Sequence, residues 1–327
     1  MRSRALLIGI NDYYESFRSL KGAIADVTDI ETWLMGQGVN PIDKHISRGN
    51  EDVYSATPQG SEINNWLNRL DSEAGVIKAE NGGAMPDFPL GDRLYVFYSG
   101  HGIDASTAGP AAVFPQTRDE YWDLFPIEPL KRHLQNSGYF REIVMVFDAC
   151  RESLDYAFDP TWARKMKVSP NSDQVQVATF YPRGSSQPTP EVDFGGGKIR
   201  GVLCHAFLQG VSGLAAEGGQ VTATRLKDFV ENAIRDKVPL ADPSIAVPRS
   251  PMIITQVQQT QPVIKIECSA ISVGNAILKH NAGGEHPIQL NIGANAYEVP
   301  MGSYVLKLNN GTEKEINAIW EVNDVAV

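Results

Sequence analysis

RLYVFYSGHG, Arg93–Gly102, decides the reading of this chain, together with IVMVFDACRE, Ile143–Glu152, about fifty residues on. Each is an apolar run of β-branched and aromatic residues, of strand length, that stops at small residues followed by one reactive side chain. The first delivers His101 and the second Cys150. Two buried parallel strands whose carboxyl ends carry a histidine and a cysteine would place a nucleophile and its base on the rim of an α/β sheet, where such sheets bind ligands.

Working outward, the 327 residues are 42% hydrophobic and 21% charged, which is ordinary for a globular chain long enough for one large domain and a small one. The net charge of -10 argues against a general nucleic-acid surface and makes basic peptides the easier partners. Met1-Arg2-Ser3-Arg4 before Ala5–Ile10 imitates a signal peptide, but the apolar run is too short and polar residues follow at once. No stretch reaches membrane-spanning length, so no membrane partner is expected. Cys150, Cys204 and Cys268 are too scattered for a disulfide framework or a zinc site, which favours a reducing, cytoplasmic setting.

Before the decisive strand, Ala5–Ile10 reads as a buried strand, Asn11–Leu20 as a loop, and Gly22–Gly38 as a helix with Ala23, Val27, Ile30 and Leu34 on one face. His45–Gly49 is a short strand candidate. Thr57 and Pro58 would open a second helix whose buried face is Ile63, Trp66, Leu67 and Leu70. After it come a long loop over Ile103–Asp123, a helix over Ile127–Gln135 and the cysteine-bearing strand Glu142–Phe147. Arg151–Asp173 and Pro182–Lys198 read as loops around a strand at Gln174–Tyr181. Helices at Val202–Gly213 and Thr224–Arg235 and a last strand at Pro251–Gln256 follow. Strands alternating with helices predict an α/β fold with a mostly parallel central sheet covered on both faces. From Val263 the apolar period changes to two, predicting a small all-β, sandwich-like domain over 263–327, joined to domain 1–257 by a linker at about 258–262.

A cysteine attacks as its thiolate, and a neighbouring histidine can take the proton or pair with the anion. In Ser99-Gly100-His101-Gly102 the glycines permit a tight turn, and the Gly102 N–H with that of Cys150 would form an oxyanion hole. Packing alone demands neither S-G-H-G nor D-A-C-R at a strand end.

These residues resemble the caspase-like cysteine peptidases (clan CD, family C14), in particular the metacaspases and bacterial caspase homologues. The matching blocks are ALLIGIND at 5–12, LKGAIADV at 20–27, YSGHG at 98–102 and DAC at 148–150, covering roughly residues 1–257. The resemblance implies a caspase-like three-layer sandwich and peptide-bond hydrolysis through a thioester, with His101 as general acid and base and Cys150 as nucleophile. It also implies an S1 pocket lined by Asp26, Ser99 and Asp148. Caspases carry Gln-Ala-Cys-Arg-Gly where this chain has Asp148-Ala149-Cys150-Arg151-Glu152, and an arginine where it has Leu20. Two carboxylates in one pocket repel unless a cation lies between them, so cleavage after Arg or Lys is expected, not after Asp.

Ser185, Ser186 and Glu191 are candidate cleft residues, because caspase-like enzymes place substrate contacts after the equivalent of the Gln174–Tyr181 strand. Metacaspases commonly bind calcium. Here the acids Asp119, Glu120, Asp123 and Asp155, Asp159 lack dense D-x-D spacing, so no cofactor is expected to be required, with calcium kept as a candidate. Arg164, Lys165, Lys167, Arg183, Lys198 and Arg200 lie in polar loops that a basic-specific enzyme would cut in itself. Cys204 and His205 sit in an apolar helical pattern and read as core. The β domain has no catalytic constellation, and Val299–Leu306 resembles the turn and strand of an Ig-like surface module, so a protein partner is its expected ligand. The leading expectation is an endopeptidase in regulated proteolysis, cell death or defence. The alternatives are a non-catalytic caspase-fold scaffold acting through the β domain, and a ligase in which an amine resolves the thioester.

Overall fold

The computed structural model describes the whole chain except residues 15–16, 48–55, 106–108, 119–120, 150–151, 154–167, 183–190, 195–196, 258–262, 269–273, 281–284, 299–301, 319–322 and 327. The chain divides into two compact units, residues 1–208 with 230–252, and residues 209–229 with 253–327.

The first unit is built on a six-stranded sheet. Its parallel members are β1 (Ser3–Gly9), β2 (Ile42–Ile46), β3 (Gly91–Ser99), β7 (Phe140–Asp148) and β9 (Gln176–Tyr181), in the order β9-β7-β3-β1-β2. The short strand β13 (Ser244–Ala246) adds antiparallel to β9 and forms that edge. Side chains alternate across a strand, so the sheet has two apolar faces. Leu94, Val96 and Tyr98 of β3 with Ile143, Met145 and Phe147 of β7 pack against helices α2 (Gly60–Glu80) and α3 (Ile127–Ser137). The alternate residues Tyr95 and Phe97 turn to the opposite face, where Phe207 of α4 (Val202–Gln209) meets Phe97 and Phe180, and Trp33 of α1 (Ala23–Gly36) meets Tyr95 and Phe207. The result is the three-layer α/β sandwich expected.

Several elements differ from the sequence reading. The stretch Ile103–Asp123, expected as a loop, contains β4 (Gly102–Ala105) and β5 (Gly109–Val113), which form an antiparallel sheet with β6 (Leu124–Pro126). Glycines and prolines hid these short strands, although Ile103, Ala111 and Val113 bury a small core of their own. Helix α2 begins at Gly60 rather than at Thr57–Pro58, because the Glu62 carboxylate accepts the Gln59 N–H (3.1 Å) and Asp123 accepts that of Gly60 (3.1 Å). The helix at Val202 ends at Gln209 and runs into a π-turn, Gly210–Leu214, in which Gly213 has φ 131°.

The strand expected at Pro251–Gln256 is β14 (Ile253–Gln256), in the second unit, where it pairs antiparallel with β12 (Gln220–Thr222) and not with the main sheet. The same unit holds seven further strands in two sheets. β15 (Val263–Cys268) lies between β18 (Gly293–Glu298) and β21 (Asn323–Ala326); the other sheet runs β17 (Glu285–Leu290), β16 (Gly274–His280), β19 (Gly302–Leu308), β20 (Glu313–Ala318). Ile266 of the first sheet shares one core with Leu278, Leu290, Tyr304, Leu306 and Ile316 of the second, which makes this a β-sandwich.

Candidate active site

The parity of two neighbouring strands builds the site. Ser99 follows Phe97 by two residues and Asp148 follows Val146 by two, so both point to the α1 and α4 face, and they are direct partners in the β3–β7 register. Asp26 lies in the first turn of α1, on the same stripe as Ala23, Val27 and Ile30. The three expected S1 residues therefore meet: Ser99 Oγ donates to Asp26 Oδ2 at 2.8 Å, and Asp26 and Asp148 offer carboxylate oxygens within 4.8 Å of each other.

The pocket is closed by the chain itself. Asp26 is 1% and Asp148 6% exposed. The Gly201 N–H donates to both oxygens of Asp26 (3.0 and 3.2 Å), and the Cys204 N–H donates to Asp148 Oδ2 (2.7 Å). Gly201 ends β11 (Ile199–Gly201), the second strand of a hairpin with β10 (Glu191–Asp193). A methyl group at Gly201 would overlap the Asp148 carboxylate and come within 2.9 Å of Asp26, so only glycine fits there. Arg200 reaches Asp29 through Nε at 2.9 Å and Asp26 at 3.9 Å. Glu191 accepts the backbone N–H groups of Lys21 (2.9 Å) and Gly22 (2.5 Å), an anion on the positive end of α1.

Burial pushes the Asp26 carboxyl well above the usual range and the nearby Asp148 adds to it, against Ser99, Gly201 and Arg200. Burial likewise raises Asp148, to about 6, with the Cys204 and Leu203 donors opposing and Glu191 reinforcing. Both carboxyls therefore hold a proton more readily than a free aspartate does, and Arg200 at the margin of the pair offsets this only in part for Asp26.

His101 stands where β3 gives way to β4. Its N–H donates to the Tyr13 hydroxyl (2.6 Å), and its carbonyl accepts from the Val113 N–H (3.0 Å) and the Tyr98 hydroxyl (2.6 Å). These two hydroxyls crowd Gly100, where a Cβ would lie 2.6 Å from Tyr13 Oη and 2.7 Å from that of Tyr98. The imidazole packs against Tyr13 and Phe17, and its Nε2 lies 2.9 Å from the Arg18 carbonyl. A carbonyl only accepts, so Nε2 carries the hydrogen and a neutral ring keeps its lone pair on Nδ1, as a general base requires. Gly102 opens β4. Cys150, Ser185 and Ser186 lie outside the described residues. Of the neighbouring described residues, Gly100 N donates to the Asp148 carbonyl (3.2 Å) and β4 pairs parallel with β8 (Glu152–Ser153).

A family model described as "Caspase domain" matches residues 2–188. The chain belongs to the caspase-domain family. Its fold unit is thus that of a cysteine peptidase. Among solved structures the caspase domain is similar to caspase-1 from Spodoptera frugiperda, at 13% identity and TM-score 0.49, covering 79% of this chain and 92% of that one. It is also similar to a protein from Geobacter sulfurreducens, at 14% identity and TM-score 0.46, covering 79% and 100%. No curated protein matches the chain.

Sequence reasoning missed three residues of this caspase domain's site. Gly201 precedes an apolar helix, and glycine before such a run was a readable sign of close approach. Tyr13 sits in Asn11-Asp12-Tyr13-Tyr14 directly after β1, a polar-aromatic signal. Cys204 is core, as read, yet it also touches the acids, and nothing in VLCHAFL sets it apart. Of the acids named for calcium, Asp119, Glu120, Asp155 and Asp159 lie outside the described residues, and Asp123 is engaged with the N-terminus of α2. Among the described residues the one cluster with ligand spacing is Asp26, Asp148 and Cys204, whose thiol does not suit a hard, oxygen-binding cation such as calcium. Of the basic residues expected in processing loops, Arg200 is engaged with Asp29. No described helix is long and apolar enough to cross a membrane.

Proposed function

We propose that this chain is a cysteine endopeptidase that cleaves protein substrates after Arg or Lys, with residues 1–257 as the peptidase domain and 263–327 as an accessory β domain that binds a protein partner. One observation carries the specificity: Asp26 and Asp148 are buried side by side with raised proton affinities. A guanidinium or ammonium group entering between them would restore both charges and gain charge-assisted hydrogen bonds, whereas an aspartate would add a third carboxylate. Because Gly201 and Cys204 already satisfy the acids, a substrate must shift the β10–β11 hairpin as it binds.

In the chemistry, His101 Nδ1 takes the Cys150 thiol proton and the thiolate attacks the scissile carbonyl. The Gly102 and Cys150 N–H groups hold the oxyanion, and His101 returns the proton to the leaving amine as the C–N bond breaks. Water, deprotonated by His101, then hydrolyses the thioester. Regulated proteolysis in cell death or defence is the setting we infer from the family.

The test is a peptide panel varied only at P1, with Cys150→Ala and His101→Ala as controls. Cleavage confined to Arg and Lys and lost in both variants supports the proposal. Preference for Asp overturns the specificity, and no turnover of any peptide, with or without calcium, leaves the caspase-fold scaffold as the better account.

A further inference from the structure

The acidic pocket has a cysteine at its base. Cys204 lies in the first turn of α4, 1% exposed, and its Sγ and the carboxylate oxygens of Asp26 and Asp148 are all within 4.8 Å of one another. Its N–H donates to Asp148 Oδ2 at 2.7 Å, and its Sγ lies within 4.8 Å of a carboxylate oxygen of each acid. Burial first, and the two acids next, push the thiol well above its ordinary range, so it stays protonated with its hydrogen available to the acids beside it. It is therefore the chemical opposite of Cys150, which must ionise to react.

We propose that Cys204 is a positioning residue of this pocket, whose thiol and backbone N–H hold the Asp148 carboxylate toward Asp26 and so set the grip on a cationic P1 side chain. This rests on the basic-P1 reading above. The geometry separates the two acids by their supports. Asp26 takes its hydrogen bonds from Ser99 on β3 and Gly201 on β11, with Arg200 nearby, whereas Asp148 takes its own from the Cys204 N–H at the start of α4 and feels the charge of Glu191 on β10. A thiol donor favours the ionised carboxylate, and deleting it raises the proton affinity of Asp148.

Two readouts test this on Cys204→Ala and Cys204→Ser, with thermal melts to verify folding. The first is a carbon-13 NMR titration of the aspartate carboxyls, with Asp148 assigned by its loss in Asp148→Asn. The second is the pH profile of kcat/KM on an arginyl peptide. The expected result for Cys204→Ala is a titration midpoint for Asp148 moved upward, the acid limb of kcat/KM moved with it, and KM raised about fivefold, the change one hydrogen bond supports, with kcat within twofold. Cys204→Ser keeps a donor and returns all three toward wild type. An Asp148 midpoint unchanged in Cys204→Ala overturns the proposal. If the midpoint moves and serine restores it while the wild type ignores P1 charge, the specificity reading fails alone and the hold of Cys204 on Asp148 is supported.

Discussion

The backbone N–H of Gly201 donates to both carboxylate oxygens of Asp26, across 175 residues of sequence. A glycine is required because the space a side chain would fill belongs to the two acids, and the same contact lays the β10–β11 hairpin over the pocket.

Gly201→Ala should therefore displace the hairpin and the two acids from each other without touching the reacting groups. The expected outcome is a loss of about 100-fold or more in kcat/KM on arginyl peptides, a size typical of misplaced binding groups, with Cys150 still alkylated by iodoacetamide at the wild-type rate. Wild-type turnover in this variant would remove the hairpin from the account of specificity.

Asp148 makes stability depend on pH. Its carboxyl rises from an ordinary value of 3.8 to about 6 on folding, so the folded state binds the proton more tightly. That contribution is complete below about pH 4 and is lost as pH climbs through about 6. Asp148→Asn should flatten this fall, raising the urea midpoint at pH 7.5 above wild type while abolishing the preference for a basic P1. Urea titrations of both proteins at pH 4.5 and 7.5 measure it.

Arg93 and Glu142 form an ion pair between β3 and β7, with Arg93 Nε 2.8 Å from Glu142 Oε2 and Arg93 Nη1 3.0 Å from the Tyr95 hydroxyl. The Arg93 side chain is only 4% exposed. Glu142→Ala leaves that charge buried opposite a neutral residue and should cost about 3–5 kcal/mol, read as a lower denaturation midpoint, with the P1 preference unchanged in the folded fraction.

Of the acids expected for calcium only Asp123 is among the described residues, where it caps α2, and the one described cluster of His, Cys, Asp or Glu side chains with ligand spacing contains a thiol. Excess chelator is expected to leave kcat/KM within twofold. A loss of activity that added calcium restores would make the ion a required cofactor.

Much of the architecture is legible in the sequence. The apolar runs of β1, β3, β7 and β9 are long enough to announce buried parallel strands, and the stripe Ala23, Val27, Ile30, Leu34 announces α1. The short strands β4, β5, β6 and β13 were not legible, because a three- to five-residue strand is stabilised by its neighbour in the sheet and not by its own pattern.

For the site, strand parity in RLYVFYSGHG and IVMVFDAC by itself places Ser99 and Asp148 on the face opposite Tyr98 and Phe147 and carries His101 past the strand end, since the side-chain period of a strand is a local property. Tertiary structure alone decided what closes over those residues. Gly201, Cys204, Glu191 and Arg200 come from a hairpin and a helix start more than 40 residues after Asp148. Their hydrogen bonds depend on where that segment packs, and no local periodicity records the position of a backbone N–H relative to a carboxylate from another part of the chain.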